Sequence, residues 1–463
     1  MHKKKKIQDF DFSYTLMKIL VDNNFRQYYR KVHVEGMENI PQDKRVILAP
    51  NHQNALMDAL VILMTQKGQP VYLARADVFK NKRVAKILEW LNIVPIYRIR
   101  DGRDELGKNN EVFDLAVDVL RDKVTLCLMP EGAQSCKRML LPLVKGMFRI
   151  AFSAQEGLEP EEVVIVPVGI EYEDYVQMGV DVSVRFGKSI SIMDYMPQYR
   201  EHQPIAMNRL RRDLSEGISA LIQNIRSETY YDDFYGISLI AQDALCVKEK
   251  HRKRFFSLLD TRQKISATLD AEEKNHPDAI EKLCSNHADY RKKLSALGLK
   301  DFVFGRPQKA LWSWTKGLLL LLTLPLFIAG WVANFIPSFF PRRIVKKLKS
   351  DQFRSSFHVV LRLISYPVYY LLVITALSII FKSLLIVVVA CVSSLLLSRF
   401  VLYYRLGFRD ISHRIRTFLK KMKNPQEISS LRQQRKDIVD EVVRMVEERF
   451  PSVNLKGCHS AIF

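Results

Sequence analysis

Cysteine is scarce in this chain and poorly placed for pairing. The 463 residues hold six, at Cys127, Cys136, Cys246, Cys284, Cys391 and Cys458, with no C-x-x-C pair. That removes a thiolate zinc site from the expectation and leaves a reducing compartment. A signal peptide is not visible either, because Met1-His-Lys-Lys-Lys-Lys6 leads into no apolar core segment. There is no G-x-S-x-G elbow, so a serine hydrolase is unsupported. Gly187-Lys188-Ser189 looks like the end of a P-loop, but Val182 stands where the leading glycine belongs. Charge is missing altogether from residues 317–340, 363–381 and 383–398. About 20 apolar residues cross a bilayer core as a helix, so these runs are candidate membrane segments.

Acidic residues are also in deficit, 50 against 71 Lys and Arg, for a net charge of +21. Such an excess suggests nucleic acid, but its placement argues otherwise. From residue 311 onward there are 23 Lys/Arg and 8 Asp/Glu, whereas the first 310 residues carry 48 and 42. The surplus therefore follows the apolar runs, and no nucleic-acid partner is expected. Arg342, Arg343, Lys346, Lys347 and Lys349 fit either a juxtamembrane segment attracted to anionic lipid or a plain positive-inside signal.

Hydrophobic periodicity divides the chain into five parts. Residues 1–30 contain an amphipathic helix with Phe12, Leu16, Ile19 and Leu20 at helical spacing, suited to packing on a core or lying in a membrane interface. Residues 31–200 alternate strands (Val32–Val34, Val46–Ala49, Val71–Ala74, Ile93–Tyr97, Thr125–Met129, Val163–Gly169, Val182–Phe186) with helices near 55–65, 84–91, 112–121 and 145–154. That order predicts an α/β domain, a mostly parallel sheet flanked by helices. Residues 201–310 turn polar and helical, with helices expected around 206–226, 242–270 and 277–297. Residues 311–404 are the membrane region and 405–463 a basic helical tail with a helix near 426–449. Pro325 and Pro337 interrupt the first apolar run and Lys382 divides the second. Two re-emerging hairpins and three spans both fit this pattern.

Among ten histidines, His52 alone follows an apolar strand directly, opens a helix and has an acid shortly downstream. His52 and Asp58, six apart, would lie about 120° from each other on one helix. His52 must therefore sit in the turn before the helix, with Asp58 on its first turns. The carboxylate would then take the Nδ1 proton and leave Nε2 as a general base. The competing reading is an Asn51-His52 helix cap with Asp58 as a favourable N-terminal charge. Glu131-Gly132 follows the strand ending at Met129, and a turn there offers N–H groups to an anion. Arg98 and Arg100 follow the Ile93–Tyr97 strand, and Lys137, Arg138 and Lys145 follow the Glu-Gly turn; guanidinium groups suit phosphate. In a parallel sheet His52, Arg98 and Glu131 gather at the strands' C-terminal ends, where ligands bind.

Four blocks taken in order resemble the glycerolipid acyltransferase family, which includes 1-acylglycerol-3-phosphate and glycerol-3-phosphate acyltransferases. They are Asn51-His52 with Asp58; Val94-Pro-Ile-Tyr-Arg98; Pro130-Glu131-Gly132 with Ser135, followed by Leu141-Pro-Leu-Val-Lys-Gly146; and Ile165-Val-Pro-Val-Gly169. There are two departures. Five residues rather than four separate His52 from Asp58, and Gln134 stands where the family has arginine. Both features, with a membrane region after the catalytic domain, are similar to the fungal-type glycerol-3-phosphate/dihydroxyacetone-phosphate acyltransferases. The resemblance implies a membrane-bound O-acyltransferase of phospholipid biosynthesis. His52 and Asp58 would be catalytic, and Asn51, Arg98, Glu131, Gly132, Lys137 and Arg138 would bind substrate. No metal or cofactor is implied; acyl-CoA or acyl-carrier protein is the co-substrate and the bilayer the main partner. The catalytic domain would face the cytoplasm. Glycerol 3-phosphate is the acceptor the resemblance favours, with 1-acylglycerol 3-phosphate or another lysophospholipid as the alternative. A reading of another class is a non-catalytic membrane adaptor that binds lipid.

Overall fold

The strand residues of the α/β part alternate between two apolar layers, and this sets the architecture. In the computed structural model, which describes residues 6–97, 109–246, 254–305, 310–348 and 350–450, the strands are β1 Lys31–Glu35, β2 Arg45–Pro50, β3 Val71–Arg75, β4 Ile93–Ile96, β5 Leu126–Leu128, β6 Val163–Tyr172, β7 Asp181–Phe186 and β8 Ile190–Ser191. They form one sheet in the order β1-β7-β6-β2-β5-β3-β4, with β8 beside the start of β6. The ladders β1–β7, β2–β6, β2–β5, β3–β5 and β3–β4 are parallel. Only the pairings of β6 with β7 and β8 are antiparallel.

Every residue of β2 and β6 is buried, as expected where helices cover both faces. Ile47, Leu126, Val163 and Ile165 face α4 (Asn109–Arg121), α5 (Lys145–Leu158) and α6 (Met196–Ser219). Their neighbours Val46, Leu48, Cys127, Val164 and Val166 face α1 (Phe12–Tyr28) and α2 (Leu56–Thr65). The helix α3 (Lys82–Trp90) lies between β3 and β4 in sequence and has no buried residue. The mostly parallel sheet flanked by helices is thus present; the two-residue β8 has no counterpart in the sequence reading. The helix expected at 206–226 begins earlier, at Met196, and bends at His202, two residues before Pro204.

The chain divides into two compact units, Met1–Ile222 with Pro337–Tyr369, and Gln223–Ile336 with Tyr370–Phe463. In the first, the start of the helix Arg354–Phe381 joins the α/β part: Val359 packs in the α1/α2 layer, and Asn24 Nδ2 donates to its carbonyl at 2.9 Å. The second unit has a core from helices Tyr231–Leu245, Arg254–Asn275, Pro277–Leu297 and Pro425–Arg449, built on Phe234, Leu269, Leu283 and Val442.

Among the described residues two helical segments, Asp351–Phe381 and Leu385–Lys423, are long and apolar enough to cross a membrane. Trp312–Leu322 and Leu324–Ala333 make a third candidate if that pair, bent by 53°, is one span. The bend falls at Thr323, where Pro325 enters the first turn of the next helix, a position that tolerates proline's missing N–H. Lys382 separates the other two helices with φ 50°.

Candidate active site

Two neighbouring parallel strands, β2 and β5, deliver the loops that carry His52 and Glu131. Beyond β2, Asn51 continues the ladder with its side chain. Its Nδ2 donates to the Ile170 carbonyl at 3.1 Å and its Oδ1 accepts the Ile170 N–H at 2.7 Å. Asn51, expected to bind substrate, has its fully buried amide committed to β6 instead.

The next residue, His52, is fixed at both backbone groups by the loop after β5. Its N–H donates to Glu131 Oε1 at 2.6 Å, and its carbonyl accepts the Ser135 N–H at 3.2 Å. Its ring Nδ1 lies 2.8 Å from Asp58 Oδ2. Asp58 sits in the first turn of α2, with no solvent exposure. The same Oδ2 accepts the backbone N–H groups of Gln53 and Asn54, both at 2.8 Å, while Oδ1 accepts the Tyr172 hydroxyl at 2.8 Å. Three donors fixed on this carboxylate leave it as the acceptor, so the shared proton belongs on Nδ1. Nε2 then carries the lone pair. Among the described residues Nε2 has no hydrogen-bond partner, and the His52 side chain is 20% exposed. The helix-cap alternative is not what forms: the N-cap of α2 is Ala55, at φ 44° and without a side-chain cap.

Glu131 takes a different position from the expected substrate ligand. Oε1 holds the His52 N–H and Oε2 accepts the Leu141 N–H at 2.8 Å, with 3% of the residue exposed. It is a brace between two loops. Burial pushes its carboxyl up to about 7 against the lowering effect of those two N–H donors. Gly132, expected to offer its N–H to an anion, donates it to the Met129 carbonyl at 3.3 Å and closes the turn. Its φ of 61° is what requires glycine there.

Arg138, expected to meet phosphate, is buried with its Nε 3.4 Å from Glu171 Oε2 and an Nη2 donating to the Tyr172 carbonyl. Lys137 is exposed beside the same loop, its carbonyl accepting from Gln53 Nε2 at 3.3 Å. Arg98 and Arg100 lie outside the described residues. Cys136 is half-buried near the site, and burial with the Asp58 and Asp351 carboxylates pushes its thiol up. It is a poor nucleophile in that state.

The sequence reading missed Tyr172. Its hydroxyl completes the Asp58 shell, and burial holds it well above the ordinary phenol range, so it remains a neutral donor. The signal that would have found it is the alternation along β6. Val168, Ile170 and Tyr172 all face the α1/α2 layer, on the side where Asp58 arrives.

Chemically, a buried carboxylate fixes one nitrogen of an imidazole whose other nitrogen is unengaged. That is the arrangement general-base chemistry requires. The acyltransferase family model matches residues 31–171, which includes every part of this network except Tyr172, one residue beyond. The human 1-acyl-sn-glycerol-3-phosphate acyltransferase alpha is 29% identical over 134 residues, 29% of this chain and 45% of that protein. The chloroplastic 1-acyl-sn-glycerol-3-phosphate acyltransferase of Arabidopsis thaliana is 23% identical over 165 residues, 35% of this chain and 44% of that one. The chain thus spans less than half the length of these curated relatives. The crystal structure of the Thermotoga maritima 1-acyl-sn-glycerophosphate acyltransferase aligns at 22% identity and a TM-score of 0.31, over 44% of this chain and 78% of that one. Over residues 31–171, then, this chain matches the acyltransferase family model and is similar to 1-acyl-sn-glycerol-3-phosphate acyltransferases.

Proposed function

We propose that this chain moves a fatty acyl group from a thioester, acyl-CoA or acyl-carrier protein, to the free hydroxyl of 1-acylglycerol 3-phosphate. The observation that carries the reading is the His52–Asp58 pair at 2.8 Å, lying inside the segment matched to the family. His52 Nε2 takes the hydroxyl proton, and the acceptor oxygen attacks the thioester carbonyl. The carbon–sulfur bond then breaks, and the leaving thiolate takes the proton back from the imidazolium. Asp58 holds the tautomer and offsets the imidazolium charge. No acyl-enzyme is needed, in keeping with a Cys136 thiol held protonated.

The lipid acceptor takes precedence over glycerol 3-phosphate because both curated relatives carry 1-acyl-sn-glycerol 3-phosphate in their names. The apolar helices also favour an acceptor that lives in the bilayer. Glycerol 3-phosphate stays as the second reading on one observation, the longer His52–Asp58 spacing together with Gln134. Lys137, exposed beside the site loop, and Arg98 are the cations proposed to meet the acceptor phosphate. We place the catalytic domain on the cytoplasmic face, where acyl thioesters are made.

The experiment is an acceptor panel with the full chain in lipid, read by mass spectrometry of the product. Phosphatidate from 1-acylglycerol 3-phosphate supports the reading. Lysophosphatidate from glycerol 3-phosphate as the sole product moves it to the second. No acyl transfer to any acceptor would leave the adaptor reading standing.

A further inference from the structure

The helix Arg354–Phe381 begins against the active-site loop, although 301 positions separate Ser355 from Asn54. Ser355 is fully buried, and its Oγ donates to Asn54 Oδ1 at 2.6 Å. Asn54 is itself fully buried, and its Nδ2 donates to the Tyr175 carbonyl at 3.2 Å. Its backbone N–H donates to Asp58 Oδ2, the oxygen that also holds His52 Nδ1. The next residue, Ala55, is at φ 44°, a backbone conformation that L-residues adopt only when their surroundings enforce it. The loop thus depends on ties from outside itself.

A second tie comes from the turn just before the helix. Gln134 Nε2 donates to Gln352 Oε1 at 3.4 Å. Gln134 adjoins Ser135, whose N–H holds the His52 carbonyl. One short segment, residues 352–355, therefore grips both loops that bracket His52. The helix is seated in turn by the Asn24 contact to the Val359 carbonyl.

We propose that Ser355 is a positioning residue for the acyl transfer, acting through Asn54 and Asp58 on the imidazole of His52. The inference rests on the acyl-transfer reading above. Among the described residues Ser355 is the only donor to Asn54 Oδ1. Without it a buried amide oxygen is left unpaired, which favours rotation of the amide and drift of the loop. The N–H groups of the loop then no longer converge on Asp58, and the base loses its alignment. Substrate contacts are untouched, so the effect belongs in kcat and not in KM. The seat of a membrane-associated helix is in this way made part of the catalytic geometry.

The test uses the full chain in lipid nanodiscs with acyl-CoA and 1-acylglycerol 3-phosphate. Ser355→Thr and Ser355→Val have the same shape and differ in the hydroxyl, while Ser355→Ala only removes it. An unpaired buried acceptor predicts about a tenfold or larger fall in kcat for Ala and Val, with Thr near the parent and KM for both substrates unchanged. His52→Ala in the same nanodiscs identifies the chemistry being read. Turnover that survives His52→Ala removes the acyl-transfer reading and this inference with it. Parental kcat in Ser355→Ala, with His52→Ala inactive, overturns the positioning role alone. So does a loss that tracks the unfolding midpoint across Ala, Thr and Val without regard to the hydroxyl.

Discussion

Glu131 Oε1 lies 2.6 Å from the backbone nitrogen of His52, the shortest of the hydrogen bonds that tie the loop after β5 to the loop after β2. Its other oxygen holds Leu141. The Pro-Glu-Gly turn therefore holds His52 through the backbone. Glu131→Gln keeps the size but sets an NH2 group against one of two N–H donors. We expect a loss of about 1–3 kcal/mol in stability from the unpaired donor. Turnover should fall with it, since the freed loop carries His52. Denaturation in detergent alongside activity measures both.

The same carboxyl has a pH signature. Burial raises it to about 7. A raised carboxyl pKa means the folded state holds the proton more tightly than the unfolded chain. Its contribution to stability is fully present below the ordinary carboxylate range and is lost as pH rises through about 7. The parent's unfolding midpoint should decline over that window relative to Glu131→Gln, which has no proton to lose there. Parallel midpoint curves from pH 4 to 8 would contradict this placement of the group.

Tyr172→Phe removes one hydroxyl and leaves Asp58 Oδ1 buried without its donor. An unsatisfied buried acceptor costs about 1–3 kcal/mol. Tightness of the His52–Asp58 pair depends on this shell, so kcat should drop while KM for the acyl thioester holds. Steady-state kinetics of the folded variant decide it; an unchanged kcat would assign Tyr172 to packing only.

Much of this fold was open to sequence reading, and the reasons are local. β2 is apolar from Val46 to Pro50 and β6 from Val163 to Ile170, and β-branched residues between Gly and Pro signals are hard to mistake. The spacing of His52 and Asp58 carried its own geometry: six residues do not share a helix face, so one partner had to precede the helix. What stayed hidden were contacts made across long separations. Asn51 reads as a polar residue at a site, yet its amide is used on β6 119 positions away. Arg138 reads as a spare cation, yet it pairs with Glu171 inside the domain. Ser355 sits in an apolar helix with no pattern that points to Asn54. Long-range pairing of single polar side chains leaves no periodicity to read.

Gly132→Ala places a β-carbon 3.2 Å from both γ-carbons of Val144 and forces alanine to φ 61°. The left-handed conformation alone costs about 1–2 kcal/mol for an L-residue. We expect a lower unfolding midpoint and reduced activity, the latter because this turn leads into the Ser135 contact with His52. A midpoint equal to that of the parent would show that the turn relaxes freely.

The proposed reaction turns on the imidazole of His52, held by Asp58, as the base that activates the acceptor hydroxyl. The most direct measurement is the rate of acyl transfer to 1-acylglycerol 3-phosphate by His52→Ala and by the parent chain, at equal folded amounts in the same lipid. Loss of a general base predicts a fall of about 10² to 10⁴ in kcat. Equal rates in the two preparations would contradict the account.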